Sequence, residues 1–327
     1  MRAELDAILR NYDAKQVFVI RSARVAYPLL FPSYELEDGE DVKSLENAEK
    51  IWEWLTAQGA TRKALLINVG GGSICDLGGF VAATYLRGID YINIPTTLLA
   101  MVDAAIGGKT AINLGGLKNR IGVFYPPKAV LTDETFLRTL PVEEMLSGWG
   151  EILKCALLES ADSWHKALNG LERYMTDTKA VVNMDIISIA RNYKEKVVTQ
   201  DLREEGLRKV LNFGHTVGHA LEEKTHARHG YCVLWGMVAE LYLSVIKLGC
   251  PKKILTELSH VMLSYYGRPE CNCKEKADLV NLMRKDKKNQ REEEINFTLL
   301  RKVGEPVINQ SADEGEIMEG IEYLFSL

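Results

Sequence analysis

The sequence has few cysteines, no signal-like start and no long uninterrupted apolar run. Its six cysteines are spread over 327 residues, too thinly for a disulfide-stabilised scaffold, so reduced thiols are expected. The first 20 residues lack the basic start and apolar core of a signal peptide, and no run of about 18 uninterrupted apolar residues could span a bilayer. The sequence therefore predicts a cytoplasmic protein with no membrane partner.

Charge of one sign is also scarce. The 45 acidic and 40 basic residues are mixed along the chain and leave a net charge of −5, without the basic stripe by which proteins bind nucleic acid. Nucleic acid is therefore not expected as a partner. Global disorder is excluded as well, because hydrophobic residues make up 46% of the chain, a share typical of globular proteins.

The apolar pattern changes near residue 140. Before it, strand patterns alternate with a helical pattern in the rhythm of a parallel βαβ sheet: strands at residues 16–20, 64–69 and 91–94, and a helix at 44–58. After it, helical patterns dominate, at residues 142–159, 185–199, 212–223 and 233–248, with one strand pattern at 295–300. The sequence predicts an α/β fold, with a Rossmann-like N-terminal domain over residues 1–140 and an all-helical C-terminal domain over residues 141–327.

A glycine cluster follows the strand predicted at residues 64–69. It reads Gly70-Gly71-Gly72-Ser73-Ile74-Cys75-Asp76 and opens a predicted helix. Adjacent glycines let backbone N–H groups approach an anion closely, and the helix N-terminus adds its dipole, so a pyrophosphate site is favoured. Asp76 is placed to meet a ribose hydroxyl or to cap the helix. The alternative is a tight turn in which one glycine has a positive φ, and the spacing is not G-x-G-x-x-G.

A polar stripe lies among small residues at positions 208–220. If this segment is helical, four polar side chains are spaced by four, three and four residues and share one face: Arg208, Asn212, His215 and His219. Glycine within a helix costs about 1 kcal/mol relative to alanine. Gly214 and Gly218 therefore indicate that another group comes very close to this helix.

Histidines and a carboxylate indicate a metal site in the same half of the chain. His215, His219 and His229 lie within fifteen residues, and neutral imidazole suits zinc. Spacing alone favours His215 and His219 as the ligand pair, because histidines four residues apart on a helix can chelate one ion. Glu151, which shares a helical face with Lys154, is a candidate for a third ligand.

Cations, amides and glycines cluster between residues 95 and 126. Lysine side chains and the backbone N–H groups of glycine loops favour anions, and this segment contains Asp103, Lys109, Lys118 and Asn119. The cluster predicts an anionic, phosphorylated substrate. Gly107-Gly108-Lys109-Thr110 resembles the end of a P-loop, but the first glycine of that motif is missing, which argues against an ATPase.

Taken together, the motifs resemble those of the 3-dehydroquinate synthases. The resemblance runs in unbroken order over about residues 35–300 and is carried by these segments: Gly70 to Asp76, Thr84-Tyr85-Leu86-Arg87-Gly88, Pro95 to Ala100, Val102-Asp103, Gly107 to Thr110, Lys118-Asn119 and Leu211 to His219. It implies a zinc- and NAD-dependent lyase of the shikimate pathway. The implied reaction converts a phosphorylated sugar acid, 3-deoxy-D-arabino-heptulosonate 7-phosphate, to 3-dehydroquinate and phosphate.

The resemblance also implies which steps of the reaction zinc, NAD and the protein would each support. Zinc would polarise a substrate hydroxyl, and NAD would remove a hydride so that phosphate can leave, then return it. Ring closure by an intramolecular aldol step would mainly require a held conformation.

Roles for residues of the C-terminal half follow from the same resemblance. Zinc, with Co²⁺ as an alternative, would be held by Glu151, His215 and His229, and His219 would be a catalytic acid or base near the phosphate. The other implied residues contact substrate hydroxyls, carboxylate or phosphate, or act as an active-site acid: Lys154, Lys194, Glu204, Arg208, Asn212, and Lys287 or Lys288.

Further roles are implied for the N-terminal half. Asp103 would contact ring hydroxyls, Lys109 and Asn119 would contact phosphate, and Arg87 would reach across to a partner subunit, which implies a homodimer. NAD contacts are implied for a larger set of residues: Glu40, Lys43, Gly71, Gly72, Ser73, Ile74, Asp76, Thr96, Thr97, Lys118, Phe136 and Thr139.

Two departures from the family pattern affect these expectations. Ser22-Ala23-Arg24 stands where the family commonly has Asp-x-Asn, on the adenosine side of NAD. His229-Gly230-Tyr231 stands where the family commonly has His-Gly-Glu. A carboxylate that would support the second zinc histidine is therefore expected to be missing.

Other functions remain open from the sequence. A related sugar phosphate cyclase, such as a 2-deoxy-scyllo-inosose or 2-epi-5-epi-valiolone synthase, would act on a substrate without a carboxylate. Lys194 and Arg208 favour the carboxylate-bearing substrate. A polyol dehydrogenase and a non-catalytic NAD-binding protein are the remaining alternatives.

Overall fold

The computed structural model describes residues 1–25, 27–177, 181–284 and 295–327. Within these residues the chain divides into two compact units, Met1–Leu140 and Pro141–Leu327. Lys287 and Lys288, for which a phosphate contact is expected, lie outside the described residues.

Unit 1 is built on a parallel five-stranded sheet. The strands of unit 1, in chain order, are β1 (Val17–Ser22), β2 (Ser33–Leu36), β3 (Leu65–Gly70), β4 (Asp90–Pro95), β5 (Lys109–Leu114), β6 (Leu117–Phe124) and β7 (Ala129–Val130). The main sheet has the order β2-β1-β3-β4-β7, and β5 pairs with β6 as an antiparallel hairpin. The predicted α/β class is confirmed, whereas the hairpin lies in a stretch where no strand was expected.

Alternating side chains of the sheet supply two apolar cores in unit 1. Phe18 and Ile20 of β1 are part of the core on one face, and Val17 and Val19 are part of the core on the other. Strands buried on both faces read as continuous apolar runs, which is why β1, β3 and β4 are recognisable in the sequence.

The described part of unit 1 also contains helices of 8 to 13 residues. They are α1 (Arg2–Leu9), α2 (Leu45–Ala57) and α3 (Gly72–Thr84), with tighter helical turns at Ala14–Gln16, Glu40–Val42, Tyr85–Arg87 and Glu134–Thr139 and a π-helical turn at Ala100–Ala104. Helix α2 begins where expected, because the Ser44 hydroxyl accepts a hydrogen bond from the Asn47 amide and satisfies an otherwise unpaired N–H group.

Unit 2 is rich in helices. These are α4 (Val142–Glu159), α5 (Ala161–Thr176), α6 (Met184–Gln200), α7 (His215–Thr225), α8 (His229–Leu248), α9 (Lys252–Val261), α10 (Cys273–Arg284) and α11 (Glu314–Ser326), with a 3₁₀ turn at Leu207–Asn212 and a π-helical turn at Met262–Tyr266. The predicted helix-rich domain is confirmed, and the strand pattern at residues 295–300 is present as β8 (Asn296–Leu300). Because β8 pairs antiparallel with β9 (Pro306–Ser311), the domain is mainly rather than entirely helical. Strand β9 was missed because its side chains are only partly buried or exposed, so it carries little apolar signal.

Helix α8 is the core helix of unit 2. By length and composition it could cross a membrane, with a mean hydropathy of 1.5, but 67% of its apolar window is buried inside the structure. It packs against α4, α7 and α11. Its apolar character is therefore accounted for by burial within this unit.

Candidate active site

Glycines let three helices of unit 2 approach at the level of their backbones. A Cβ atom on Gly230 of α8 would lie 1.8 Å from the carbonyl oxygen of Ser147 in α4. A Cβ atom on Gly236 of α8 would lie 2.0 Å from the carbonyl oxygen of Gly214, which precedes α7. The close neighbour that Gly214 and Gly218 indicate is therefore the backbone of α8.

These contacts bring a carboxylate and two imidazoles together. Glu151 lies on α4, next to Gly150, while His215 and His229 are the first residues of α7 and α8. Their ligand atoms all lie within 4.8 Å of one another. Oε1 of Glu151 is 3.5 Å from Nε2 of His215 and 3.2 Å from Nε2 of His229.

The remaining ring nitrogens face hydrogen-bond acceptors. Nδ1 of His215 donates to the carbonyl oxygen of Phe213 at 3.1 Å, and Nδ1 of His229 donates to Oε2 of Glu222 at 3.0 Å. The ring orientations therefore point Nε2 of both imidazoles toward Glu151. This arrangement, with the outer nitrogen hydrogen-bonded and the inner one a ligand, is typical of zinc-binding histidines.

Glu222 corrects one expectation from the sequence. With Tyr231 in place of the family glutamate, His229 was expected to lack a supporting carboxylate. The structure supplies one from α7, because Glu222 lies one helical turn after His219 and faces the start of α8.

The charges around Glu151 favour a cation. Glu151 is fully buried and pairs with Lys154, one turn further along α4 and also buried. Burial alone would lower the pKa of His229, but hydrogen bonds to Glu151 and Glu222 outweigh it and raise the pKa to about 10. The cluster therefore stabilises positive charge at Nε2 of His229, where a divalent ion would be accepted.

His219 lies beside this cluster. Its ring centre is 5.3 Å from that of His215 and 6.3 Å from that of His229. The converging ligand atoms belong to Glu151, His215 and His229, rather than to the pair four residues apart that spacing alone favours. His219 is thus placed to act next to a bound ion without being one of these three ligands.

The polar stripe is not on one helix. The backbone leaves helical geometry at Phe213 (ψ 128°) and Gly214 (φ 78°), between the 3₁₀ turn Leu207–Asn212 and α7. The expectation that Arg208 and Asn212 share a helical face with His215 is therefore wrong. The break arises because Gly214 adopts a left-handed conformation that glycine accepts readily.

A loop before this break holds the other expected substrate residues of unit 2. The Asn212 amide donates to Glu204 at 2.6 Å. The Arg208 guanidinium is buried and donates to the carbonyl oxygen of Leu202 at 2.6 Å. Asp201 accepts backbone N–H groups of Glu205, Gly206 and Arg208 at 2.8–3.1 Å. Lys194 is buried on α6, which packs against the 3₁₀ turn that contains Arg208.

In unit 1 the glycine cluster joins β3 to α3. Gly71 is the N-cap residue, and Gly70, Gly71 and Gly72 do not adopt positive φ, so the tight-turn alternative does not account for them. A Cβ atom on Gly70 or Gly72 would come within 2.9 Å of Ile74 or Ala104, whereas one on Gly71 would meet nothing nearer than Thr97 at 3.4 Å. Two glycines serve close packing, and Gly71 leaves space at the start of the helix.

A buried lysine connects several residues expected to bind NAD. Lys43 Nζ lies 2.8 Å from Asp76 and 3.2 Å from Glu40, and also contacts the side-chain oxygen of Asn119. Burial lowers the pKa of Lys43, but the two carboxylates outweigh that effect and raise it. Asn119, expected at the phosphate, thus joins the group expected at NAD.

A cavity of about 350 Å³ opens beside this group. Its lining combines the turn at residues 40–44 with the tip of the β5–β6 hairpin: Glu40, Asp41, Lys43, Ser44, Asn113, Leu114, Gly115, Gly116 and Lys118. Ser73 completes the polar network, since its hydroxyl donates to Glu40 at 3.3 Å.

The other expected residues of unit 1 occupy separate places. Thr96 and Thr97 directly follow β4, and the Thr97 hydroxyl accepts the Ala100 amide at 3.2 Å. Phe136 packs against the apolar core on one face of the sheet. The remaining positions lie on turns or strand ends and are exposed or partly so: Arg87, Asp103, Lys109 and Thr139.

Sequence reasoning missed Glu222, Glu240 and Asp201. Glu240 is fully buried on α8 and accepts the amides of Gly214, Thr216 and Val217 at 2.6–3.2 Å. It thereby anchors the start of α7, which carries His215. The spacing of Glu222, three residues after His219, is a signal that could have found it, whereas the role of Glu240 depends on the crossing of two helices.

The solved structures that share this fold include those of two synthases. A 2-deoxy-scyllo-inosose synthase complexed with carbaglucose-6-phosphate, NAD⁺ and Co²⁺ has a TM-score of 0.81 and 22% identity, over 98% of this chain and 94% of that one. The 2-epi-5-epi-valiolone synthase of Streptomyces hygroscopicus, with NAD⁺ and Zn²⁺ bound, has a TM-score of 0.77 and 26% identity, over 94% and 91% of the two chains. The fold and the ligand cluster define an enzyme of the same architecture as these synthases.

Sequence comparison identifies the family. The family model for the N-terminal domain of 3-dehydroquinate synthase matches residues 33–147, and the model for the C-terminal domain matches residues 148–289. A 3-dehydroquinate synthase of Parabacteroides distasonis is 39% identical over 99% of this chain and 95% of its own length. The chain belongs to the 3-dehydroquinate synthase family.

Proposed function

We propose that the enzyme is a phosphate-eliminating lyase that converts 3-deoxy-D-arabino-heptulosonate 7-phosphate to 3-dehydroquinate and phosphate. The observation that carries the proposal is the convergence of Glu151, His215 and His229 in a chain of this family. A bound divalent metal would polarise the substrate hydroxyl, and bound NAD would accept and return the hydride that makes phosphate elimination feasible.

The ligand cluster fits Zn²⁺ or Co²⁺. One carboxylate and two imidazoles, with their outer nitrogens hydrogen-bonded, are a donor set that these ions accept while a position stays open for substrate. Glu151, His215 and His229 would hold the ion. Lys154, next to Glu151, would contact a substrate hydroxyl, and His219 would move a proton near the phosphate.

NAD would bind unit 1. Gly71 at the N-cap of α3 leaves space for a pyrophosphate against the first amides of the helix, where backbone N–H groups and the helix dipole favour anions. Glu40, Lys43 and Asp76, which already form one hydrogen-bonded group, would meet the ribose side. The further NAD contacts would come from Gly72, Ser73, Ile74, Thr96, Thr97, Lys118, Phe136 and Thr139.

Buried cations support a substrate with a carboxylate. Lys194 and Arg208 are both buried in unit 2, and cationic side chains form the strong charge-assisted hydrogen bonds by which carboxylates are recognised. They would bind the substrate carboxylate, while Asn212, paired with Glu204, would contact phosphate. Asp103 would contact ring hydroxyls, Lys109 and Asn119 would contact phosphate, and one of Lys287 and Lys288 would add a phosphate contact.

Arg87 supports a homodimer. It lies exposed in a turn with a left-handed backbone (φ 71°), where its side chain is available to a second subunit. Light scattering of the purified chain would give twice the mass of 36.7 kDa. A monomer that is fully active would contradict this assignment.

Phosphate release tests the function. The purified chain, supplied with NAD and Zn²⁺, is expected to release phosphate from the heptulosonate phosphate and to lose this activity with a chelator. Glucose 6-phosphate should release none. Release from glucose 6-phosphate alone would indicate a carboxylate-independent cyclase, and net NADH accumulation would indicate a polyol dehydrogenase. Absence of bound zinc with no turnover would indicate a non-catalytic protein.

A further inference from the structure

Glu222 lies where it can control one metal ligand. It is on the second turn of α7, and its Oε2 is 3.0 Å from Nδ1 of His229, the first residue of α8. Helices α7 and α8 are in backbone contact at Gly214 and Gly236. The two backbones that carry Glu222 and His229 are therefore held in close contact by the main chain.

The two imidazoles of the cluster are supported differently. His215 donates to a neutral carbonyl oxygen, that of Phe213, whereas His229 donates to a carboxylate. A hydrogen bond to a charged acceptor is stronger than one to a neutral acceptor. It also keeps a proton on Nδ1, so that Nε2 of His229 is the nitrogen left to bind a metal ion.

Position 231 of α8, two residues after His229, holds a tyrosine and not a carboxylate. The ring of Tyr231 packs against Tyr266, with ring centres 4.9 Å apart, and against Trp235 at 6.1 Å. Tyr231 thus belongs to an aromatic group, and the support of His229 is supplied by α7.

We propose that Glu222 is a positioning residue that holds His229 as the Nδ1–H tautomer and so sets the affinity of the enzyme for its divalent metal. The proposal rests on the metal site of the proposed function. Outer hydrogen-bond partners of metal-bound histidines change metal affinity by about 10- to 100-fold when they are removed.

The test is the zinc affinity of the metal-stripped full chain, measured by competition with a chromophoric chelator. Glu222→Gln keeps the shape of the side chain but removes its charge, and Glu222→Ala removes the acceptor. Both variants should bind zinc about 10- to 100-fold more weakly, with the larger loss for alanine. Glu223→Gln, at the adjacent exposed position, is the matched control and should bind zinc as the unchanged chain does.

A second readout separates positioning from a structural role. Proton NMR spectra of the zinc-bound, histidine-labelled chain should show the Nδ1–H proton of His229 at lower field than in Glu222→Gln, because a hydrogen bond to a carboxylate is stronger than one to an amide. The melting temperature of the metal-free chain should change little in Glu222→Gln. A fall in zinc affinity that merely follows a loss of fold would overturn the positioning role.

The outcomes distinguish this inference from the proposed function. If the unchanged chain binds zinc and the folded Glu222→Gln and Glu222→Ala variants bind it within twofold of the same affinity, the positioning role is wrong while the metal site stands. If the unchanged chain binds no zinc, the metal site itself is wrong and the role of Glu222 falls with it.

Discussion

Nε2 of His229 lies 3.2 Å from Oε1 of Glu151, although 78 residues separate the two in sequence. The contact depends on the main chain, because Gly230, next to His229, touches the carbonyl group of Ser147 in α4. The distance between these two candidate metal ligands is thus set by the crossing of α4 and α8.

Gly230→Ala tests this dependence. The added Cβ would lie 1.8 Å from the Ser147 oxygen, a backbone atom that cannot move aside without separating the helices. We expect a loss of at least about 3 kcal/mol in the free energy of unfolding and a weaker affinity for zinc, measured by denaturant titration and by metal competition. Gly315→Ala, exposed at the start of α11, should change neither quantity appreciably. Unaltered zinc binding by Gly230→Ala would show that the crossing does not set the ligand distance.

Glu151→Gln should affect both metal binding and stability. The variant loses an anionic ligand, and Lys154 stays buried without its ion-pair partner on α4. Breaking a buried pair in this way costs about 3–5 kcal/mol. Denaturant unfolding of the metal-free chain and a zinc titration measure the two effects.

A double variant separates the two effects of Glu151→Gln. Adding Lys154→Met removes the buried charge, so stability should largely return while zinc affinity stays low. If stability does not recover, the loss does not arise from the unpaired lysine.

Glu240→Ala should loosen the start of α7. The buried carboxylate accepts the amides of Gly214, Thr216 and Val217, and unsatisfied buried N–H groups cost about 1–3 kcal/mol each. The expected loss of unfolding free energy is about 3 kcal/mol or more, with weaker zinc binding through His215. Glu322→Ala, exposed on α11, serves as the control. Comparable stability of the two variants would contradict the anchoring role.

Asp201 should make stability depend on acidic pH. Burial would raise the pKa of this carboxyl, but the backbone N–H groups of Arg208, Gly206 and Glu205 outweigh it and lower the pKa below its ordinary 3.8. Its contribution to stability is therefore complete above pH 3.8 and is lost as the pH falls through the lowered value. Asp201→Asn should be less stable than the unchanged chain at pH 7, and the difference should shrink toward pH 2. A difference independent of pH would contradict this assignment.

The sequence predicts the elements that are buried on a regular period. Strands β1, β3 and β4 are apolar on both faces, and α4 matches the predicted residues 142–159. The β5–β6 hairpin escaped because all residues of β6 are exposed, and the alternation of β5 has only two buried residues, Thr110 and Ile112.

The residues of the candidate metal site are only partly predictable from short sequence patterns. His215 and His219 are found by their spacing, but Glu151 and His229 join them through the crossings of α4, α7 and α8, which no short segment encodes. The break at Gly214 also depends on contacts between distant segments, because the close approach of α8 and the carboxylate of Glu240 determine where α7 begins.

The spacing of α4, α7 and α8 is set by contacts between glycines and backbone carbonyl groups. The helix crossings therefore do not depend on which side chains serve as metal ligands. Exchanging one donor for another, such as Glu151→His together with Lys154→Met to remove the buried unpaired charge, can therefore alter metal preference while the helix crossings stay in place. The same architecture offers a starting point for engineering catalysts with different ions.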